Sequence, residues 1–355
     1  MANVFDYVEK YGDMSFRQKR FNEVDNLIFS ALAYVDLRDT KVDRKICTLS
    51  EVGHEYLETH SDEEMRKHYG LGMYDAHKLL KKLVDKPRYA NLRILDYDYN
   101  VNSEMQFGAV VFEILPDLIY VAFEGTDQLI VGWKEDADLS YMFPVPAQIE
   151  AVEFLNRNIK TLGPDVIVGG HSKGGNLALV SSMFMSYWKK RKILRVYSND
   201  GPGLRRKEFE SARYRSIKDR YVHIVPDSSV VGMLLRHDKY KVVKSTKLAP
   251  ISHEISSWEV IDSKLRRGTL SAKSVALEKS VLHWLDTHDD KERKKVCDAI
   301  FGTLRKSGLL ETYQLKNPRI MLRAINKFGK EVDDESKKLA LELVKGTFDG
   351  VLKAK

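Results

Sequence analysis

One serine stands among glycines in a pattern that is typical of nucleophilic catalysis. Residues 170–174 read Gly-His-Ser-Lys-Gly, a G-x-S-x-G pattern with Ser172 at its centre. An apolar β-branched run precedes it and an apolar helix-like run follows, which predicts a strand, a sharp turn and a helix. Gly170 and Gly174 would let neighbouring backbone pass close to the turn. The helix N-terminus would favour negative charge that develops at the serine.

A serine nucleophile needs a base that takes its proton, and histidine is the usual one. The favoured candidate is His253, in a loop after the last predicted strand. His237, in the charged stretch Arg236–Lys239, is the alternative. The other histidines downstream of Ser172 lie in a predicted strand or in predicted C-terminal helices, where they are expected to be structural: His223, His283 and His288.

The base in turn needs a carboxylate that orients it, placed just past the end of a strand. Asp227 follows the strand-like run Val222–Val225 and Pro226, and it is the favoured acid. Asp200, in the glycine- and proline-rich turn Asn199–Gly203, is its rival. Either residue gives the chain order serine, acid, histidine that is found with this kind of turn.

The negative charge that forms on a carbonyl oxygen needs two backbone N–H donors, each worth on the order of 3 kcal/mol. One is expected at Lys173, directly after the nucleophile. The other is expected in the loop after an earlier strand, where residues 123–126 read Phe-Glu-Gly-Thr.

The elements around these residues alternate between strand and helix. This alternation predicts an α/β fold with a mostly parallel sheet covered on both faces. Pro116-Asp117 predicts a tight turn between two of the strands. Strands are predicted at 92–95, 108–115, 118–123, 166–169, 193–197 and 221–225, and helices at 147–162 and 175–190.

Helical patterns flank this central region on both sides. Residues 1–90 are charged and helical and are expected to pack on the core, which spans residues 91–260. Residues 261–355 are expected to form a helical C-terminal extension. The predicted helices of the extension are 272–283, 291–306, 318–328 and 334–352.

Charge and composition narrow the functional classes. The net charge is +7, and residues 261–355 hold 21 Lys and Arg against 14 Asp and Glu, whereas the first 260 residues hold 37 of each. A basic extension could make weak contact with an anionic membrane surface, but no pattern indicates nucleic-acid binding. Two cysteines and the lack of an N-terminal signal pattern predict a cytoplasmic protein. No metal-ligand spacing indicates a metal or cofactor.

Taken together, residues 90–260 resemble the class 3 lipases of the α/β-hydrolase fold, and more closely a bacterial lipase-like family. The motifs that carry this resemblance are the elbow at 170–174, Val131–Asp136, Asn199–Gly203 and His253–Val260. The resemblance implies Ser172 as nucleophile, Asp227 as acid and His253 as base. It also implies an oxyanion hole at Thr126 and Lys173. No cofactor is expected.

Two positions depart from the class 3 pattern. Glu124 stands where those lipases usually have arginine, and Lys173 stands where they usually have a small or apolar residue. We therefore expect opposite charges beside the oxyanion site. The apolar segment Leu129–Val131, with Trp133, is where those lipases carry a lid, and ordinary core packing is the alternative explanation.

The leading hypothesis is a serine hydrolase that cleaves carboxylic esters, lipid esters included, through an acyl-enzyme intermediate. The alternative is a non-catalytic or regulatory protein on a hydrolase scaffold, which binds a partner or an anionic membrane surface through its basic helices. A hydrolase or acyltransferase acting on thioesters or peptides is a third possibility.

Overall fold

An eight-stranded sheet forms the centre of the molecule, seen in a computed structural model that describes residues 1–43, 46–68, 71–312, 314 and 317–353. The strands lie side by side in chain order, antiparallel from the first to the fourth and parallel from the fourth to the eighth. They are β1 (Cys47–Thr48), β2 (Arg93–Val101), β3 (Gln106–Leu115), β4 (Leu118–Phe123), β5 (Asp165–His171), β6 (Ile193–Asn199), β7 (Tyr221–Pro226) and β8 (Tyr240–Val243).

Helices surround the sheet and continue beyond it to the C-terminus. They are α1 (Val4–Tyr11), α2 (Glu23–Leu32), α3 (Leu49–Thr59), α4 (Asp62–His68), α5 (Leu71–Leu83), α6 (Pro87–Ala90), α7 (Ile130–Asp138), α8 (Pro146–Asn158), α9 (Lys173–Phe184), α10 (Tyr187–Lys192), α11 (Arg206–Phe209), α12 (Ala212–Arg215), α13 (Ala272–Thr287), α14 (Asp290–Lys306), α15 (Pro318–Glu331) and α16 (Asp334–Lys353). None of the helices in the described ranges is long and apolar enough to cross a membrane.

The strand alternation sorts the core into two layers, because successive side chains of a strand point to opposite faces. On one face, Val110 and Phe112 of β3 pack with the N-terminal helices, α2 among them. On the other face, Ala109 and Val111 pack with α8 and α9. The predicted α/β fold, with a mostly parallel sheet covered on both faces, is confirmed.

The strand register brings three loops together at one end of the sheet. Phe123 at the end of β4 pairs with Gly170, and His171 at the end of β5 pairs with Asn199. The carboxyl ends of β4, β5 and β6 are therefore neighbours, which is where ligands bind in open α/β sheets. The predicted turn at Pro116-Asp117 is confirmed, since Leu115 pairs with Leu118 across it.

A buried ion pair links the N-terminal helices α2 and α6. Asp25 of α2 accepts hydrogen bonds from Arg88 Nε and Nη2 at 2.9 and 2.7 Å, and from the Tyr89 hydroxyl at 2.7 Å. All three side chains are buried. Because a buried carboxylate must be fully paired, this cluster fixes how α6 meets α2.

Several elements differ from their predicted bounds. The helix predicted at 175–190 is two helices, because Met185 is extended and Ser186 caps α10 by accepting from Lys189 N. The short edge strand β8 was not predicted. Neither was the two-stranded hairpin of β9 (Val260–Ile261) and β10 (Lys264–Leu265), which begins the segment expected to be helical.

The C-terminal helices pack against the core through a third hydrophobic cluster. Trp284 and Leu285 of α13 and Val296 of α14 meet Leu139 and Leu235, which belong to the central region. Helix α14 also contacts α7, and α13 contacts the turn at 231–233. The division at residues 90 and 260 remains a prediction.

Candidate active site

Ser172 sits at a strained turn between β5 and α9. Its backbone has φ 56° and ψ −132°, in a region that non-glycine residues rarely adopt. A Cβ on Gly170 would lie 2.3 Å from the Gly174 carbonyl carbon, and one on Gly174 would lie 2.2 Å from the Phe123 oxygen. Only glycine fits at both positions, so the strand and the helix meet closely and Ser172 stands at the apex.

His253 lies on a short turn, Ile251–His253. The backbone of this turn contacts His171 at the end of β5. Its Nδ1 is 2.7 Å from Oδ2 of Asp200. A carboxylate oxygen can only accept, so Nδ1 carries the hydrogen and Nε2 is free to accept a proton. His253 and Ser172 line the same cavity.

Asp200 is held rigidly in the turn after β6. Its Oδ1 accepts from the Ser229 hydroxyl and from Gly232 N, the latter at 3.1 Å, while Oδ2 faces His253. The side chain is fully buried. These hydrogen bonds fix the carboxylate in one orientation, as an acid that orients a histidine requires.

The expectation that Asp227 orients His253 is therefore corrected. Asp227 follows β7 as predicted, but it does not line the cavity, and the His253 imidazole is hydrogen-bonded to Asp200. Strand β7 is one strand further from β5 than β6 is. Asp200, which directly follows the strand beside β5, is the carboxylate that reaches the imidazole.

The turn that carries Asp200 explains this difference between the prediction and the structure. Asp200 has φ 51°, a left-handed conformation that Asp tolerates better than most residues. The glycine- and proline-rich surroundings favoured a merely structural explanation, yet the turn is what aims the carboxylate at His253. A buried acid directly after the strand next to the nucleophile strand is the clue that could have identified it.

The alternative base, His237, is placed elsewhere. It is buried beside His223, with ring centroids 5.1 Å apart, and its Nε2 is 3.3 Å from a Glu278 oxygen. It does not line the cavity of Ser172. The geometry favours His253.

The two histidines near the serine have opposite pKa shifts. Burial by itself would lower the pKa of His253, but the hydrogen bond and charge of Asp200 outweigh it and raise that pKa above its ordinary value of 6.5. Burial and the nearby His253 lower the pKa of His171 to about 3. His171 is therefore neutral, whereas His253 is poised to take up a proton.

His171 and Tyr34 form a chain of hydrogen bonds that ends at the backbone of His253, and the sequence analysis predicted no role for either residue. His171 Nε2 is 2.8 Å from the His253 carbonyl oxygen, and its Nδ1 is 2.9 Å from the Tyr34 hydroxyl. A carbonyl only accepts, so Nε2 carries the hydrogen and Nδ1 accepts from the tyrosine. Tyr34 follows α2, 137 residues before His171, and no local pattern could reveal this contact.

The loop after β4 presents Thr126 to the cavity, and Gln106 holds the peptides on both sides of it. Gln106 Nε2 donates to the Gly125 oxygen at 3.1 Å, and Asp127 N donates to Gln106 Oε1 at 3.3 Å. The Thr126 hydroxyl donates to Asp136 Oδ2. Burial raises the pKa of Asp136 to about 6.

The Lys173 side chain is buried in an ion pair outside the cavity, and an oxyanion role for its backbone N–H remains a prediction. Lys173 is the first residue of α9, and the first N–H groups of a helix have no partner within it. Its ammonium group is buried, 3.0 Å from Glu135 Oε2 and 2.7 Å from the Gln106 oxygen.

The expected opposite charges beside the oxyanion site are not in the cavity. The Lys173 side chain is buried in the ion pair with Glu135, and neither Lys173 nor Glu124 lines the cavity. Burial raises the pKa of Glu124 well above its ordinary value, which favours the neutral acid.

The cavity over Ser172 has a volume of about 760 Å³, within the range of small-molecule sites. Its polar lining comes from the loops at the sheet end, and much of its apolar lining comes from the C-terminal helices. The lining includes Tyr34, Thr126, Trp133, Asp136, His171, Ser172, Val230, Leu234, Ile251, His253, Leu277, Val281, Trp284, Cys297, Phe301 and Leu343. No group of side chains in the described ranges could hold a metal ion.

The segment considered as a lid is tied to the C-terminal region. Leu129 forms an antiparallel bridge with Glu311, and Ile130 N donates to the Leu310 oxygen at 2.8 Å. Ile130 is buried and begins α7, whereas Trp133 is half exposed and lines the cavity. A lid at this segment remains a prediction.

The sheet, the strained serine turn and the loops at its end define an α/β-hydrolase fold. The chain belongs to the Mbeg1-like family, whose model matches residues 83–302. No match was found among curated proteins.

Two solved structures are similar to this chain. One is a fungal lipase in complex with an inhibitor, described as a model for interfacial activation in lipases, with 16% identity and a TM-score of 0.34 over 48% of this chain and 71% of that one. The other is the M37 lipase, with 16% identity and a TM-score of 0.36 over 58% of this chain and 67% of that one.

Proposed function

We propose that the protein is a serine hydrolase that cleaves carboxylic esters, lipid esters included. The observation that carries this proposal is the 2.7 Å hydrogen bond between His253 and the buried Asp200, above the same cavity as the strained Ser172. Nucleophile, base and acid would thus be Ser172, His253 and Asp200.

In the proposed reaction, Ser172 Oγ attacks the ester carbonyl carbon while His253 Nε2 takes the hydroxyl proton. The oxygen that becomes negative would be stabilised by N–H groups of Thr126 and Lys173. The alcohol leaves with the proton from His253, and the acyl group stays on Ser172. Water then attacks the acyl-enzyme, His253 again carries the proton, and the carboxylic acid is released.

Hydrolysis of p-nitrophenyl esters by wild type and Ser172→Ala tests this proposal. The variant should lose at least about 10⁴-fold in kcat, because no other group replaces the nucleophile. Ser182→Ala is the matched control, since this buried serine of α9 does not line the cavity and its hydroxyl donates to the Ala178 oxygen at 2.7 Å. Unchanged hydrolysis by Ser172→Ala would refute the proposal.

The non-catalytic alternative has its own supporting observation. Helix α15 exposes Leu322 and Ile325, 59% and 62% accessible, next to Arg319 and Arg323. An apolar strip with basic neighbours suits an anionic membrane surface. This alternative predicts that Ser172 forms no covalent adduct with a serine-directed fluorophosphonate probe.

A further inference from the structure

The C-terminal helices contribute only apolar and thiol side chains to the cavity, although their region is the basic part of the chain. Helices α13, α14 and α16 supply Leu277, Val281, Trp284, Leu285, Val296, Cys297, Phe301 and Leu343. Among the described residues, no charged side chain of these helices lines the cavity.

Helical spacing explains this separation of charge from cavity. Leu277, Val281 and Trp284 recur at four- and three-residue steps, so they lie on one face of α13. Lys279 and His283, between them, are exposed. Among the described residues, the charged side chains of these helices therefore lie outside the cavity, while one stripe of each helix lines it.

The titratable lining comes instead from α7 and from loops at the end of the sheet. Asp127, Asp136, His253 and Glu254 line the same cavity as Ser172, and burial raises the pKa of Glu254 to about 7. The cavity is thus polar around Ser172 and apolar along the C-terminal helices. A ligand that fits both parts has a polar ester joined to an extended apolar group.

We propose that this apolar part, the chain chamber, binds the acyl chain of the ester, and that α13, α14 and α16 set the chain length accepted. This inference rests on the proposed function. The acyl group is the part that stays bonded to Ser172 until water attacks, whereas the alcohol must leave first. The acyl chain is therefore the group that we expect to occupy a chamber enclosed by three helices.

The acyl-length profile of p-nitrophenyl esters tests the proposal. In wild type, kcat/KM should rise about threefold to fourfold for each added methylene, the effect of burying one CH₂ group, until the chamber is full. A second series, with a fixed acetyl group and lengthening alcohols, should show no such rise. A steeper rise in the alcohol series would overturn the assignment to the acyl chain.

Val281→Phe narrows the chamber from α13, and His283→Phe places the same side chain on the exposed face of that helix. Val281→Phe should lower kcat/KM for long-chain esters at least about tenfold relative to the acetate ester. This is the effect expected when two or more methylenes can no longer be buried in the chamber. His283→Phe should keep the wild-type profile. A profile unchanged by Val281→Phe, in protein with a native circular dichroism spectrum, would overturn the inference.

Phe301→Ala gives an independent result because it enlarges the chamber from α14. In this variant kcat/KM should keep rising up to a longer acyl chain than in wild type. An optimal acyl length that stays at the wild-type value would contradict the proposal. If hydrolysis depends on Ser172 but both variants keep the wild-type acyl-length profile, only the assignment of the acyl chain to the chain chamber is refuted. Absence of any ester hydrolysis by wild type refutes the proposed function as well.

Discussion

At the scale of single residues, the site depends on which carboxylate orients His253. The Asp200 carboxylate is buried and accepts from Ser229, Gly232 and His253 at once. Asp227 is partly exposed and does not line the cavity. The two aspartates therefore form a natural pair of test and control.

Asp200→Asn should lower kcat by about 10³- to 10⁴-fold, because the amide no longer stabilises the imidazolium that forms during the reaction. Asp227→Asn should leave kcat within about twofold, as is usual for a group outside the site. Steady-state kinetics with one p-nitrophenyl ester measures both. A larger loss for Asp227→Asn than for Asp200→Asn would return the acid role to Asp227.

The pH profile gives the same comparison a second readout. His253 must be neutral to accept the serine proton, so activity should rise with pH through the pKa of His253. Asp200 raises that pKa above 6.5, so the acidic limb of kcat/KM should lie above pH 6.5 in wild type. In Asp200→Asn the limb should move to lower pH, and in Asp227→Asn it should stay in place.

Residue types and spacing alone could predict the serine turn, because its chemistry is local. Ser172, Gly170 and Gly174 stand within five positions, and the structure places them at one tight turn. The choice between Asp200 and Asp227 could not be made locally. It depends on strand order and on a backbone conformation at Asp200 that the sequence suggests only weakly.

At the scale of elements, one buried ion pair joins three elements around the loop that carries Thr126. Lys173 begins α9, Glu135 belongs to α7, and Gln106 begins β3. Glu135 Oε1 also accepts from Ala147 N at 2.8 Å, which ties in α8. The pair therefore positions the loop of Thr126 through its neighbours.

Lys173→Met should destabilise the fold by about 3–5 kcal/mol, because it leaves the Glu135 carboxylate buried without a counter-charge. The double variant Lys173→Met/Glu135→Gln should recover most of that loss, since glutamine is neutral and can still accept from Ala147 N. Urea unfolding measures both free energies. A double variant as unstable as the single one would show that the ion pair is not the cause.

The elements themselves were largely predictable. The strands around the site and the C-terminal helices follow alternating or helical apolar spacing, and most of their bounds agree within a few residues. The break at Met185 and Ser186 was missed because an apolar helical pattern continues across it into α10. The edge strand β8 has only four residues and too short a pattern to stand out.

At the scale of the whole molecule, three parts of the chain build one site. The sheet supplies Ser172 and Asp200, the N-terminal part supplies Tyr34 behind His171, and the C-terminal helices supply the apolar wall of the cavity. Contacts over such sequence distances leave no local pattern. The flanking regions could therefore be predicted as helices, but their contribution to the site required the structure.

Covalent labelling measures whether Ser172 is an activated nucleophile, on which the proposed reaction depends. A fluorophosphonate probe should label wild type on Ser172, as mapped by mass spectrometry of the digested protein, and should abolish ester hydrolysis in proportion to labelling. Ser172→Ala should remain unlabelled, while Ser182→Ala should label like wild type. If folded wild-type protein takes up no probe, Ser172 is not an activated nucleophile, and the result would favour the non-catalytic alternative.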